Sequence, residues 1–409
     1  MDRSETGLEQ GLQEKKGRRI LLYIATIIFS VLFLFIGNRI ATKDLTLFDS
    51  EAYGETVVKA KVELITGRIL DDYVHDESTD AYKNVQINFD AIILSGEERG
   101  ERVKGSQIID NMFNYGMPEV ERGDKVLLVK YKGQEDMEWQ MMEFLRTDKL
   151  IILGLLFVLA LLFFGRFKGF NTIVSLVFTC VAVFLVFIPS ILSGHNIYIS
   201  TIIICLYTIV MTYLIVHGYN KKTLTAIIGC FGGVLISGIL TLLAERIFVL
   251  TGFVDEESIY LTYLETPIDL KAIIFAAILI GAMGAIMDVA MSISSSLWEV
   301  REQSEEISFH SLFRSGINIG QDVMGTMANT LILAYIGGSL SVVLLLSAYS
   351  TSLMYLMNME MIVVEILQSL IGSFGILFAM PLTSFICAII YQKSSKVQLY
   401  DEEGTYRNI

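Results

Sequence analysis

The chain contains few of the side chains that build disulfides or metal centres. Its 409 residues include four cysteines and four histidines. We therefore expect no structural disulfide, no zinc site and no cofactor, because the cysteines fall inside apolar runs and none is paired at metal-ligand spacing. They are Cys180, Cys205, Cys230 and Cys387.

The residue patterns of common catalytic sites are missing as well. The sequence has no Ser/His/Asp set and no glycine-rich phosphate loop, and His195, His217 and His310 are isolated. A two-aspartate intramembrane protease would need a second acid at depth, and Asp322 is a poor candidate for it. The net charge of −13 and the absence of a basic surface speak against nucleic acid. We expect a protein that is not an enzyme and has no nucleic-acid partner.

Hydrophobic residues are abundant instead. They form 53% of the chain, and the mean hydropathy of +0.56 is well above that of an ordinary soluble domain. The charged residues are segregated between long apolar runs. This distribution predicts a polytopic membrane protein whose main partner is the lipid bilayer.

Eight apolar runs approach the roughly 20 residues that a helix needs to cross a bilayer. The first lies within residues 20–39 and follows a basic cluster at residues 15–19. This start fits either a signal peptide or an uncleaved helix, and we favour the helix because the run is long and lacks an Ala-x-Ala cleavage site. The other runs are Leu150–Phe164, Phe170–Leu192, Ile197–Val216, Leu224–Leu250, Ala272–Ile293, Val323–Leu346 and Phe374–Tyr391.

Residues 42–148 form the one long water-soluble segment. Polar and apolar residues alternate from Lys59 to Leu64 and from Val85 to Ala91, which is typical of half-buried strands. With two more strands near residues 125–131 and 139–145, we predict a small all-β barrel or sandwich of four or five strands. An acidic turn around His75 suits either a cation site or a solvated loop, and we favour the loop because its spacing matches no calcium motif.

The placement of lysine and arginine predicts the orientation, because cytoplasmic segments carry an excess of both. With eight crossings, all five basic clusters fall on one side. We therefore predict a multi-pass protein of the plasma membrane with both termini in the cytoplasm. Its parts are a cytoplasmic tail at 1–19, a first helix at 20–39, an extracytoplasmic β domain at 42–148, a seven-helix membrane domain at 150–391 and a cytoplasmic tail at 392–409. Within the first tail, the polar residues 1–17 are predicted to be disordered and thus irregular.

Two further segments mix acidic and apolar residues. Trp298–Ser315 predicts an amphipathic helix on the cytoplasmic surface. Leu353–Ile371 is short for a span and carries two acids, so we predict an interfacial or re-entrant helix on the outer side. If it did span, Lys393 and Lys396 would break the charge rule.

Two polar residues inside neighbouring apolar runs mark the candidate site. Asp288 follows Gly284 by four residues, and Asn329 follows Gly325 by the same spacing. The two helices run in opposite directions, so both polar residues fall in the inner half of the membrane. Small residues beside them, including Thr326, would let the helices cross closely. Inverted elements of this kind build midplane sites in many transporters.

Two interpretations of Asp288 stay open. In the functional one, it is a carboxylate that handles a cation or a proton, because intramembrane acids are costly. In the structural one, Asn329, Thr326 or backbone donors satisfy it and the pair locks two helices together. We interpret Asp322, at the inner boundary, as a helix cap.

A methionine stripe runs beside the two polar residues. Thioethers bind copper(I), but no histidine or cysteine supports them here, so we favour core packing. The stripe consists of Met283, Met287, Met291, Met324 and Met327.

The motifs of this region resemble those of the YibE/F family of bacterial membrane proteins. The resemblance rests on His217-Gly-Tyr-Asn220, Leu224–Leu250, Gly281–Ala290, Ser315–Leu331 and Pro381-Leu-Thr383. It covers residues 150–391 and implies a bacterial cell membrane, but it implies no particular activity.

Two functional hypotheses follow, and a homo-oligomer is compatible with both. In the first, the chain is a transporter or channel for an ion or small solute. In the second, it is a membrane scaffold that transports nothing and whose β domain binds an envelope protein. The first hypothesis places its site at Asp288, Asn329, Asp322, Thr326, Gly284 and Gly325.

Overall fold

The structure is a computed structural model that divides into two compact units, residues 46–163 and the rest of the chain. The acidic turn around His75 and the basic pair Lys393 and Lys396 lie outside the described residues. The described residues are 2–42, 55–71, 84–110, 117–131, 138–255, 257–264, 266–304, 307–349, 352–392, 399–400 and 406–407.

The water-soluble segment folds into a closed five-stranded barrel with the order β1-β2-β3-β5-β4. β1 pairs with both β2 and β4, and β3 runs parallel to β5. This arrangement is that of an OB-fold barrel, and it confirms the predicted small β domain. The strands are β1 (Glu55–Asp71), β2 (Asn84–Ile93), β3 (Arg102–Ile109), β4 (Lys125–Tyr131) and β5 (Trp139–Phe144).

The alternating residues of β1 and β2 fill the barrel, as their period predicted. Ala60, Val62 and Phe89 are almost fully buried. β3 was missed because three consecutive residues, from Gly105 to Gln107, are buried and hide the period of two. Gly105 is required there, since a Cβ would approach the Phe89 ring to 2.7 Å.

The remaining elements are mainly helical. Two short strands, Leu399–Tyr400 and Tyr406–Arg407, pair near the C-terminus. The helices are α1 (Asp2–Ala41), α2 (Thr147–Ala182), a π-helical turn (Val183–Phe187), α3 (Ile188–Leu192), α4 (Ile197–His217), α5 (Lys221–Ile247), α6 (Glu257–Thr262), α7 (Leu270–Gln303), α8 (Phe309–Gly338), α9 (Leu340–Tyr349), α10 (Leu353–Leu356) and α11 (Glu360–Gln392).

Six helical runs among the described residues are long and apolar enough to cross a membrane, and α8 with α9 forms a seventh that is bent by 59°. The predicted spans at 150–164 and 170–192 belong to one run of 46 residues, Thr147–Leu192. At about 1.5 Å per residue this run is more than twice the ~30 Å of a hydrocarbon core. Arg166 interrupts it with φ 48°. The number of crossings and the orientation stay predictions.

Three local predictions were wrong. Trp298–Ser315 is not one surface helix, because α7 continues to Gln303 and α8 begins after Ser308, whose side chain accepts a hydrogen bond from the Ser311 amide. Leu353–Ile371 is not a separate interfacial helix, because α11 runs without interruption for 33 residues from Glu360. The N-terminal tail is not irregular either, since α1 begins at Asp2.

Small residues let α5, α7, α8 and α11 pack closely. A Cβ at Gly233 would lie 3.0 Å from the Gly375 carbonyl oxygen, and one at Gly316 would lie 2.9 Å from Leu297 Cδ1. Met283 and Met287 lie in this core, and Met291, Met324 and Met327 pack against it. The predicted packing role of the methionine stripe is therefore confirmed.

Candidate functional site

The contacts between α7 and α8 set their relative level. Ile293 lies beside Gly320, Leu297 lies beside Gly316, and the Tyr335 hydroxyl lies against Gly281. The helices are therefore antiparallel, and interpolation places Asp288 level with residues 325–327. Asn329 is one turn or less away, a distance of about 5 Å along the axis.

Asp288 lies on an exposed face of α7 that is lined by small residues. Ala277, Gly281, Gly284 and Asp288 recur every three or four residues, so they share one side of the helix, and all are exposed. α4 borders this face, where the Tyr213 hydroxyl donates to the Met287 carbonyl oxygen at 2.6 Å. α8 borders the other side. The result is a groove between α4 and α8 with α7 as its floor, which we call the α7–α8 groove.

Asp288 has no hydrogen bond or ion pair with any residue that the structure describes. The helix-lock interpretation is not supported, because the Thr326 hydroxyl donates to the Val323 carbonyl of its own helix at 2.9 Å instead. Asn329 is exposed at the groove and makes no hydrogen bond to Asp288 either.

Three predicted site residues do not have the roles that the sequence suggested. They are Asp322, Gly284 and Gly325. Asp322 lies in the middle of α8 and is exposed, so it caps no helix. A Cβ added at Gly284 or Gly325 would meet no other atom within 4 Å. The close approaches occur at Gly281, Gly316 and Gly320 instead, while Gly284 and Gly325 leave the groove open.

α8 carries a polar stripe that the sequence interpretation recognised only in part. Asn318, Gln321, Asp322, Gly325 and Asn329 are exposed and recur at helical spacing. The signal was present as polar residues every three or four positions in an otherwise apolar run. It was missed because the predicted surface helix ended at Ser315 and the predicted span began at Val323, so residues 316–322 were assigned to neither.

The chemistry of the groove is that of hard oxygen ligands. One carboxylate from α7 lies near the amide and hydroxyl groups of α8. Such groups suit protons and alkali or alkaline-earth cations better than soft metals. Within the described ranges, no three His, Cys, Asp or Glu side chains are grouped so that they could hold a metal ion.

Comparison with known proteins gives a single assignment. No curated protein matches the chain, and no solved structure matches it. The family described as YibE/F-like protein matches residues 153–393. This range covers more than half of the chain, from α2 to the end of α11, and includes the whole α7–α8 groove. The chain therefore belongs to the YibE/F-like family.

Proposed function

We propose that the chain is a membrane transporter or channel for a cation, and that the cation passes through the α7–α8 groove. The observation that carries this proposal is the Asp288 carboxylate, which is exposed inside a membrane-length helix and has no partner among the described residues. A charged side chain at the bilayer centre costs at least about 2.5–3.5 kcal/mol, even on the lowest scale.

Water or a cation in the groove would remove much of that cost. A Cβ at Gly284, one turn before Asp288, would meet no other atom within 4 Å, so space remains beside the carboxylate. Asn329 and Thr326 would supply further oxygen atoms at nearly the same level. The polar stripe of α8 extends this environment along the helix towards Asn318.

The test is cation flux in proteoliposomes that contain the wild type or Asp288→Asn. We expect the substitution to lower proton or alkali-cation flux by at least about tenfold, because it removes the charged carboxylate that α7 contributes to the groove. The matched control is Asp255→Asn, which makes the same chemical change at the start of α6. There the Ser258 amide donates to Asp255 Oδ1 at 2.7 Å, and an asparagine oxygen can still accept this bond.

The oligomeric state of each variant is measured beside its flux. Equal flux from wild type and Asp288→Asn would contradict the proposal. Loss of an oligomer in Asp288→Asn, without any flux in the wild type across a broad cation panel, would indicate that a second copy of the chain covers the groove.

A second candidate function is that of a scaffold whose barrel binds an envelope protein. The observation in its favour is a cavity of about 670 Å³ on the barrel, lined by the charged side chains Lys61, Asp90 and Arg122 and by the Arg102–Glu63 ion pair. Such a mixture of charges suits a polar protein surface.

Site-specific photo-crosslinking in cells tests the scaffold function. A crosslinker at position 122 should capture one defined protein, whereas a crosslinker at Arg68, which pairs with Glu119 elsewhere on the barrel, should not. Identical products at both positions would contradict a binding site in this cavity.

A further inference from the structure

Glu245 is a buried acid that the groove does not use. It lies near the C-terminal end of α5 and is only 9% exposed. Its Oε2 accepts a hydrogen bond from the Tyr198 hydroxyl of α4 at 3.3 Å. Its Oε1 is buried and has no hydrogen-bond partner among the described residues.

The carboxylate lies where three helices meet. The Tyr198 ring packs edge-on against Phe275 of α7, with ring centres 5.0 Å apart. Glu245 therefore lies between α4, α5 and α7. Thr241, one turn earlier on α5, is also buried, but its hydroxyl donates to the Ser237 carbonyl and is not available to Glu245.

The charged groups around Glu245 do not neutralise it. Asp269 and Lys271 of α7 and Arg246 of α5 act on it electrostatically, yet it forms no ion pair in the described part of the chain. At the start of α11, Glu360 is engaged with the amides of residues 251 and 252. Asp269, Lys271 and Arg246 are thus the charged groups near a carboxylate oxygen that lacks a donor.

A buried oxygen without a partner is costly, and more so when it is charged. A small cation bound to Oε1 of Glu245 would supply the missing interaction. The cation must be small because the site is enclosed by packed helices. It need carry only one charge, because Glu245 is the one buried acid there.

We propose that Glu245 and Tyr198 form a second cation site, for a proton or an alkali-metal ion. The contacts of α5 with α7 place Asp288 level with residue 231, so the two carboxylates are about 20 Å apart along the helices. Binding at Glu245 is independent of transport. The proposal that the Glu245 site is a second binding site on the path of the transported cation rests on the function proposed above.

The binding test uses dicyclohexylcarbodiimide, which modifies protonated carboxyl groups in apolar surroundings. The full chain in liposomes is treated with it, and the peptide that contains residue 245 is quantified by mass spectrometry. We expect labelling at about pH 6 in N-methylglucamine chloride, and a fall of at least about fivefold at pH 8.5 or on addition of sodium ions.

The two arms distinguish the two cations. If labelling of Glu245 falls only when the pH is raised, the site binds a proton. If labelling falls when sodium ions are added at constant pH, the site binds an alkali-metal ion. No labelling of Glu245, or labelling that neither condition changes, would overturn the proposal.

Tyr198→Phe tests the site without removing the acid. It deletes the single donor to Glu245, so the cation concentration that gives half protection should change by at least about threefold. The control is Tyr260→Phe, because Tyr260 is 72% exposed in α6. An unchanged concentration in Tyr198→Phe would overturn this site.

Two substitutions separate this inference from the proposed function. If Asp288→Asn transports normally while Glu245 remains protected by the cation, the groove proposal fails and the Glu245 site stands. If Glu245→Gln transports as the wild type does, the second binding site on the path is overturned, whatever the labelling shows.

Discussion

At the scale of single residues, Asp288 and Glu245 are two acids in apolar helices that each have a carboxylate oxygen without a hydrogen-bond partner among the described residues. Asp288 was identifiable because an acid inside an apolar run has few explanations. Glu245 was missed because it lies beside Arg246 near the end of an apolar run, where charged residues are ordinary. The roles of Gly284 and Gly325 were misjudged, because sequence shows that a residue is small but not which side of its helix meets a neighbour.

A cluster of three hydroxyl groups joins α5, α7 and α11. The Tyr391 hydroxyl lies 2.8 Å from Thr225 Oγ1 and 2.7 Å from Ser294 Oγ, and the Tyr391 side chain is fully buried. We expect Tyr391→Phe to lower the free energy of unfolding by about 1 kcal/mol, because Thr225 and Ser294 still bond each other. Thermal unfolding in detergent measures this. The exposed Tyr219→Phe should leave stability unchanged, and equal midpoints for both variants would contradict the cluster's role.

Two glycines of α8 provide a matched pair for the packing. A Cβ at Gly320 would collide with the Met380 side chain, whereas one at Gly325 would meet open space. We expect Gly320→Ala to destabilise the protein by about 1–3 kcal/mol through overpacking. Gly325→Ala should be neutral or stabilise it by up to about 1 kcal/mol, because alanine favours a helix. A lower unfolding midpoint for Gly325→Ala than for Gly320→Ala would refute the packing of α8 on α11.

At the scale of elements, the periodicity of apolar residues predicted the strands and helices that are determined by their own local sequence. The alternation in β1 and β2 identified both strands, and α4 and α5 lie within a few residues of their predicted bounds. It was harder to predict which neighbouring segments form one continuous helix. Glu360, Glu365 and Gln368 suggested a surface segment, yet they belong to the first turns of a helix that runs to Gln392. This segment was misjudged because its contacts with distant parts of the chain are not visible in a short window of sequence.

Glu360 supplies one of those contacts. Its carboxylate accepts bonds from the amides of Thr251 and Gly252, at 2.7 and 2.6 Å, and from the Thr251 hydroxyl. We expect Glu360→Gln to speed amide exchange in peptides covering residues 249–253 by about tenfold, because a neutral amide oxygen is a weaker acceptor for the two amides than a carboxylate oxygen and the second acceptor for the Thr251 hydroxyl is lost. Glu365→Gln, on the same helix, is the control. Unchanged exchange in Glu360→Gln would show that the loop is held by other contacts.

At the scale of the whole molecule, composition predicted a membrane protein, alternation predicted the small β domain, and the resemblance of the motifs in α5, α7 and α8 predicted the YibE/F family. Composition did not fix how many times the chain crosses the bilayer, because hydropathy does not show whether a break in an apolar region separates two crossings. Arg166 illustrates this, since it interrupts a run of 46 residues between the predicted segments 150–164 and 170–192. The position of the break was predictable, but whether each segment crosses the membrane was not.

Cysteine labelling tests the predicted orientation. In a Cys180→Ser background, which removes the one exposed cysteine, Glu98→Cys in the β2–β3 turn should react with a membrane-impermeant maleimide in intact cells. Tyr219→Cys, between α4 and α5, should react only after the cells are permeabilised, because that turn carries the lysines of a cytoplasmic segment. Reaction of Tyr219→Cys in intact cells would reverse the orientation.

The bend between α8 and α9 has a mechanical consequence. The hydroxyl cluster at Tyr391 clamps α5, α7 and α11 at one end, and Glu360 fastens α11 to the loop after α5 at the other. These contacts hold both ends of α11 against its neighbours. α9 contains no buried residue and leaves α8 at 59° through Gly337, Gly338 and Ser339. We expect alanines at residues 337 and 338 to stiffen this bend without changing any residue of the α7–α8 groove, because alanine restricts the backbone more than glycine does.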